Sequence, residues 1–292
     1  MKGRVLPGIL SVVLALVVMS TTALANPGDL YLTASAPTSG AIFRFTPGGT
    51  KSTFATTPNS NFGIAVDGGG NVYQADLVSI NKYSSSGVPT LFSYATGEEL
   101  AFDANGNLFV ADFAGSAIYK ITPAGVVSVF ASGLNKPVGL EFDSSGNLFS
   151  SDYGSGNLYK FTPSGVRSTF ATGLFQPACL TVDATDNLFV AEFKAGGSIY
   201  EYTPAGVQST FASGLNRPWG LAFDEAGNLF ETDFGSGKIL KFTPGGAQST
   251  FATGISQPSF LAFQPVPEPS TFVLLVLGIA SLTFVRYRRR IH

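Results

Sequence analysis

Histidine, cysteine and charge are scarce in this sequence of 292 residues, and each shortage excludes a class of function. The one histidine, His292, is the last residue, so no Ser/His or Cys/His catalytic pairing is available to the body of the chain. The one cysteine, Cys179, excludes an intrachain disulfide and is expected to be a small buried residue. Charged residues make up 12% and the net charge is −2, which gives no electrostatic basis for binding nucleic acid.

What the chain does contain is one strand pattern repeated six times, at intervals from 36 residues (63 to 99) to 41 residues (179 to 220). A repeat of this length that consists only of short strands and turns is typical of a β-propeller blade. The six copies are Gly63–Asp67, Glu99–Asp103, Gly139–Asp143, Cys179–Asp183, Gly220–Asp224 and Phe260–Gln264.

Each repeat predicts four strands. A Gly-Asn turn separates the first from the second, because glycine and asparagine accept positive φ. Thr-Pro-x-Gly ends the third strand, and a short Ser-Thr-Phe-Ala segment forms the fourth. The repeat region begins at Asp29–Tyr31 with a second-strand pattern and ends at Phe260–Gln264 with a first-strand pattern. We therefore predict an all-β, six-bladed propeller over residues 26–264, closed between its N- and C-terminal strands.

Both ends of the sequence predict targeting segments. Residues 1–25 have a basic start, an apolar run and small residues at Ala23 and Ala25, as in a cleaved signal peptide. The alternative is an uncleaved anchor. Residues 265–292 contain Pro-Glu-Pro, then the apolar run Phe272–Val285, then four arginines, which predicts a transmembrane helix with a cytoplasmic tail. The alternative there is a hydrophobic core helix.

The propeller repeats resemble the NHL-repeat propellers and the related gluconolactonase and streptogramin-lyase propellers. The matching strings are Leu-x-Phe-Asp, Gly-Asn-Leu-Phe and Ile-Tyr-Lys-Phe-Thr-Pro, over residues 29–264. The resemblance implies a fold rather than a function. A streptogramin-lyase mechanism relies on a histidine, which this propeller lacks. Gluconolactonase metal sites use a Glu, two Asn and an Asp, and Glu141 is the one candidate that can be assigned to such a ligand here.

The C-terminal segment resembles the PEP-CTERM sorting signal, with Pro267, Glu268 and Pro269 as its motif. The resemblance implies export through the inner membrane of a bacterium with an outer membrane, and transient anchoring by the C-terminal segment. It also implies an exosortase that removes the tail, and delivery to the cell surface or an exopolysaccharide matrix. The expected partners are the export machinery, the exosortase, and exopolysaccharide or a surface protein. The alternative is a plain anchor that is never cleaved.

An acidic residue recurs where the second strand ends in five blades. Together with Glu141 on an innermost strand, this ring of carboxylates would suit a hard cation such as Ca²⁺; no other cofactor is expected. The alternative is that each carboxylate caps the turn that follows it. The candidate ligands are Asp76, Asp112, Asp152, Glu192, Asp233 and Glu141.

The loops into the first strands carry amide, basic and aromatic residues that would suit a sugar ring. The alternative is that the single tryptophan packs between blades. The candidate binding residues are Trp219, Arg217, Asn216, Asn135, Lys136 and Gln176. Blade 2 has a shorter loop after Asp76 and is followed by Glu98-Glu99, so these three acids are expected to line a notch. The alternative is sequence drift in a loop that has no function.

Three functions follow as hypotheses. The favoured one is a non-catalytic, exported propeller that binds glycan or protein. The second is a metal-dependent hydrolase or lactonase of the gluconolactonase type, which needs at least three convergent oxygen ligands. The third is a structural matrix component. The fold alone selects none of them.

Overall fold

The computed structural model describes residues 28–35, 40–57, 61–76 and 78–265. The predicted signal peptide with Ala23 and Ala25, the apolar C-terminal run, and the sorting residues Pro267, Glu268 and Pro269 lie outside these residues. Within the described part of the chain, no helix is long and apolar enough to cross a membrane.

The described residues form six four-stranded antiparallel sheets, which we number as blades 1 to 6. Blade 1 consists of β1 (Leu30–Ser35), β2 (Gly40–Phe45), β3 (Lys51–Thr57) and β24 (Pro258–Phe263). Blade 2 consists of β4 (Asn61–Val66), β5 (Val72–Asp76), β6 (Ile80–Tyr83) and β7 (Pro89–Ser93). Blade 3 consists of β8 (Leu100–Phe102), β9 (Leu108–Asp112), β10 (Ala117–Ile121) and β11 (Val127–Ser132).

The remaining blades follow the same order along the chain. Blade 4 consists of β12 (Pro137–Phe142), β13 (Leu148–Asp152), β14 (Asn157–Phe161) and β15 (Arg167–Ala171). Blade 5 consists of β16 (Pro177–Val182), β17 (Leu188–Glu192), β18 (Ala195–Tyr202) and β19 (Gln208–Asn216). Blade 6 consists of β20 (Pro218–Phe223), β21 (Leu229–Asp233), β22 (Lys238–Phe242) and β23 (Gln248–Ala252).

The last strand of the propeller pairs with the first. In blade 1, β24 lies beside β1, with Leu30 opposite Phe263 and Leu32 opposite Leu261. This is the pairing that the sequence predicted for the two terminal strands. In blades 4 to 6, the first strand runs from a proline-containing loop to a turn of the Asp-x-x-Gly-Asn type, in which Asp186 replaces the glycine of blade 5, so the propeller has two distinct faces. We call them the loop face and the turn face.

The turns follow from the sequence chemistry. In blade 4, Asp143 Oδ1 accepts hydrogen bonds from the backbone N–H groups of Ser145 (3.1 Å) and Asn147 (2.8 Å). Gly146 has φ of 78°, which a glycine adopts without strain. Asp186 stands at the same place in blade 5 with φ of 62°, as its tolerance of this conformation predicted.

Aromatic rings join each blade to the next. Phe109 of blade 3 makes edge-on contacts, both with centroids 5.0 Å apart, with Phe130 of its own blade and Phe142 of blade 4. The same arrangement recurs around Tyr73, Phe189 and Phe230. Burial of these large rings stabilises the fold by roughly 25 cal/mol per Å² of apolar surface. Attraction between the edge of one ring and the face of the next further favours the edge-on geometry.

Hydroxyl groups add a polar link between blades. Thr232 Oγ1 accepts a hydrogen bond from the backbone N–H of Gly220 (2.7 Å) and donates one to the carbonyl of Ser259 in blade 1 (2.6 Å). Ser151 makes the same two bonds, with Gly139 and with Ala178 of blade 5. Neighbouring backbones are therefore held close at these glycines.

One carboxyl group is buried in the interface of blades 5 and 6. Glu231 is fully buried, and its cross-strand neighbours Leu221 and Leu240 belong to the apolar cluster between these blades. Neither of its carboxyl oxygens has a hydrogen-bond partner among the described residues. Burial, and secondarily the nearby Asp233 carboxylate, raise the pKa of Glu231 well above its usual value.

Candidate functional site

Three of the recurring acidic residues hold the proline-containing loops of the loop face. Asp152 Oδ1 accepts the backbone N–H of Asn135, and Asp233 Oδ2 accepts that of Asn216, both at 2.8 Å. Glu192 Oε1 accepts the backbone N–H of Phe175 at 3.0 Å. Each carboxylate therefore fixes the loop that leads into the first strand of its own blade.

The other two acidic residues cap their own turns. Asp76 Oδ1 accepts the N–H groups of Val78 and Ser79, both at 2.8 Å, and Asp112 Oδ1 accepts the N–H of Gly115 at 2.8 Å. This is the turn-cap alternative of the sequence analysis. Among the described residues, no group of three His, Cys, Asp or Glu side chains is placed to hold a metal ion. The predicted Ca²⁺ ligands are thus not brought together, and the ion itself stays a prediction.

The loop-holding role gives a direct expectation for stability. Asp152→Ala should lower the free energy of unfolding by about 1–3 kcal/mol, because it leaves the part-buried N–H of Asn135 without its acceptor. Asp112→Ala is the matched control, since among the described residues its carboxylate accepts a hydrogen bond from Gly115 of its own turn alone, and the change should cost about 1 kcal/mol or less. Urea denaturation of both variants measures the difference. Equal losses would contradict the loop-holding role.

Glu141 lies apart from these carboxylates, in a cavity of about 370 Å³ on the propeller axis. The innermost strands of all six blades line this cavity, and Glu99 is the other carboxylic acid in its wall. Glu99 Oε2 accepts the backbone N–H of Leu140 (2.8 Å) and contacts the thiol of the buried Cys179. Burial raises the pKa of Glu141 to about 7 and that of Glu99 well above its usual value.

The notch predicted beside blade 2 does not contain all three of its expected acids. Glu99 was expected to line it with Asp76 and Glu98, but its carboxyl group is buried against Leu140 and Cys179 at the axis. Glu99 stands at the place of Cys179 in the repeat, and both side chains are buried. Glu98 is partly buried, and burial raises its pKa to about 7.

Trp219 packs between blades at the loop-face end of the axis. Its ring contacts Phe193 of blade 5, Phe260 of blade 1 and Tyr153 of blade 4, with centroid separations of 4.8, 5.8 and 6.4 Å. The side chain is half-buried, and its Nε1 has no hydrogen-bond partner among the described residues. Trp219 is thus a packing residue whose ring also lies near the axial opening.

Four polar residues in the proline-containing loops of the loop face have left-handed backbone. Lys136, Gln176, Arg217 and Gln257 have φ between 45° and 59°, and each immediately precedes a proline. We call these four residues the rim. A non-glycine residue in this region carries strain, and proline further restricts the residue before it.

Backbone hydrogen bonds hold the rim in place. The carbonyls of Lys136, Gln176 and Arg217 each accept a hydrogen bond of 3.2 Å from a backbone N–H. The donors are the aromatic residues that directly follow the three loop-holding acids. These aromatic residues are Tyr153, Phe193 and Phe234. Sequence reasoning missed them, although an aromatic residue after the recurring acid was visible in four blades.

The predicted binding residues separate into two groups. Lys136 and Arg217 are exposed and Gln176 is half-buried, so their side chains are available on the loop face. Asn135 and Asn216 are exposed but pack over Gly154 and Gly235, where any Cβ would clash with the asparagine side chain. These two asparagines therefore position the loops.

Solved structures share this fold. A chain of a nidogen/laminin complex is 23% identical, with a TM-score of 0.72, and the match covers 82% of this chain and 100% of that one. Virginiamycin B lyase from Staphylococcus aureus is 16% identical (TM-score 0.60; 81% and 92% covered). A putative gluconolactonase is 15% identical (TM-score 0.60; 79% and 91% covered). No curated protein matches the chain. Identities this low establish the architecture alone.

The C-terminal residues match a family model. Residues 265–290 match the PEP-CTERM protein-sorting motif, which includes the predicted Pro267, Glu268 and Pro269. This motif implies export, processing by an exosortase, and sorting to the cell envelope or surface. The chain therefore carries a PEP-CTERM sorting motif after a six-bladed β-propeller, and that propeller is similar in fold to a putative gluconolactonase.

Proposed function

We propose that this protein is a non-catalytic binding module that recognises an exopolysaccharide glycan through the rim. In this proposal the signal peptide at residues 1–25 exports the chain, and the apolar C-terminal run anchors the precursor until an exosortase removes it. The mature ring, closed by the pairing of β1 with β24, then acts at the cell surface or in the matrix.

The observation that carries the proposal is the strained rim. Four non-glycine residues adopt positive φ at equivalent places in the loops of four blades, at a cost of order 1–3 kcal/mol each. Glycine would avoid this cost, so a binding role for the long polar side chains would offset the strain. Guanidinium, ammonium and amide donors suit the hydroxyls of sugars, and a half-buried tryptophan on the same face suits a sugar ring.

The test is a calorimetric titration of the full-length protein with the host's exopolysaccharide. We expect Arg217→Ala and Lys136→Ala each to weaken binding about tenfold, the loss of one charge-assisted hydrogen bond. Lys51→Ala is the matched control, because Lys51 is exposed at the turn-face end of β3 and loses the same charge. Unchanged binding in both rim variants would refute the rim as the glycan site.

A metal-dependent hydrolase of the gluconolactonase type is the second candidate. It is favoured by Glu141, an acid in the axial cavity whose burial raises its pKa to about 7, in the range useful to a general acid or base. Against it, the other predicted ligands are engaged by backbone N–H groups. Calcium binding that Glu141→Gln abolishes would support this candidate. If neither calcium nor the polysaccharide binds, the remaining hypothesis is a structural role in the matrix.

A further inference from the structure

The turn face carries a repeated internal site for a cation. In four blades, a lysine on the third strand forms an ion pair with the aspartate that ends the first strand, and its ammonium group lies over the aromatic ring of the second strand. The N–O distances are 3.0–3.7 Å and the ammonium groups lie 4.8–5.3 Å from the ring centroids. The lysines are Lys82, Lys120, Lys160 and Lys241.

Blade 5 has the aspartate and the aromatic ring, but a glutamate stands in place of the lysine. Glu201 lies opposite Phe189 across the strand pair, as Lys160 lies opposite Phe149 in blade 4. Asp183 occupies the place of Asp143. Within the described part of the chain, neither Glu201 nor Asp183 forms an ion pair, and no cation lies over Phe189.

These residues line a groove between blades 5 and 6. The groove has a volume of about 350 Å³, with Asp183 and Glu201 on one side and Phe223 and Pro244 among its other walls. Phe189 and Phe223 meet edge-on at 5.0 Å. The corresponding groove between blades 3 and 4 contains Lys120. The blade 5 groove thus has the aromatic walls of the repeated site, two carboxylates and no cation of its own.

We propose that this groove binds the side chain of a lysine from a partner protein. The ammonium group would pair with Asp183 and Glu201, and its methylene stem would lie against Phe189 and Phe223. The four internal lysines are the precedent for this geometry, because each satisfies the same carboxylate and ring within its own blade. Two carboxylates with aromatic walls suit an alkylammonium group better than a divalent metal, which prefers more oxygen ligands. The site is independent of the rim, which lies on the opposite face.

The first test uses Nα-acetyl-lysine methylamide as the probe and saturation-transfer NMR on the full-length protein. We expect transfer to the ε-methylene protons at millimolar probe, and little transfer when the ammonium is acetylated. Glu201→Lys should abolish the signal, because the new lysine would fill the groove from within. Absence of a signal with the wild type, or a signal that persists in Glu201→Lys, would overturn the proposal.

Thermal unfolding gives a second, independent reading. Glu201→Lys should raise the melting temperature by about 2 °C, since it restores the ion pair with Asp183 and the contact with Phe189. The matched variant Lys160→Glu makes the opposite change in blade 4, so it should lower the melting temperature and create a second groove that binds the probe. A lower melting temperature for Glu201→Lys, or no new binding in Lys160→Glu, would count against the internal precedent.

Discussion

Gly220→Ala is expected to lower the free energy of unfolding by about 3 kcal/mol, at the upper end of the range for overpacking. An added Cβ would clash with the carbonyl oxygen of Ser259 in the next blade, and would lie 3.0 Å from Thr232 Oγ1 and 3.2 Å from Phe260 Cα. Two of these neighbours are backbone atoms, which cannot rotate away. The substitution should also disturb the Thr232 hydroxyl, which links both blades.

Chemical denaturation of Gly220→Ala measures this loss. Gly68→Ala is the matched control, because a Cβ at Gly68 would meet no atom within 4 Å. We expect the control to be neutral or slightly stabilised by the lower entropy of its unfolded chain. A loss at Gly220 no larger than at Gly68 would show that blades 6 and 1 can separate without cost at this contact.

Glu231→Val is expected to raise the free energy of unfolding at pH 7 by about 2 kcal/mol. The reason is that a buried polar group without a hydrogen bond costs about 1–3 kcal/mol, and valine removes it. Val110 and Val190 stand at the equivalent places in blades 3 and 5, so valine fits the local geometry. Glu225→Gln is the control, because Glu225 is exposed.

The gain should depend on pH. The pKa of Glu231 is raised in the folded state, so the folded protein binds this proton more tightly than the unfolded chain does. That contribution is fully present below the unfolded pKa, about 4.3, and is lost as pH rises through the folded value. The difference between Glu231→Val and wild type should therefore grow from pH 4 towards pH 8. A difference that does not vary with pH would place the carboxyl in a solvated site.

The strands were predictable because one pattern recurs six times and their turns use residue types with few conformational options. Asp143 and Gly146 illustrate this, since the aspartate accepts the turn N–H groups and the glycine accepts positive φ. The direction of individual side chains at the axis was not predictable. Glu99 faces inward through contacts with Leu140 and Cys179, which belong to two other blades.

The candidate site was partly predictable for the same reason. The loop residues were found because asparagine and proline mark turns, but the role of Asp152 and Asp233 depends on bonds across 17 residues of sequence. Whether such a carboxylate binds a metal or a backbone N–H is decided by three-dimensional distances. The strain at Lys136 and Arg217 likewise has no sequence signature, since residues before proline normally avoid it.

The direction of β24 determines how this propeller is presented while its tail is processed. The strand begins beside the rim at Pro258 and ends on the opposite face at Phe263, four residues before Pro267. Four extended residues span at most about 14 Å. An exosortase engaged on the Pro-Glu-Pro motif therefore works within that distance of the face that bears the Glu201 groove. The rim lies on the opposite face, so the glycan binding proposed for it does not require release of the tail.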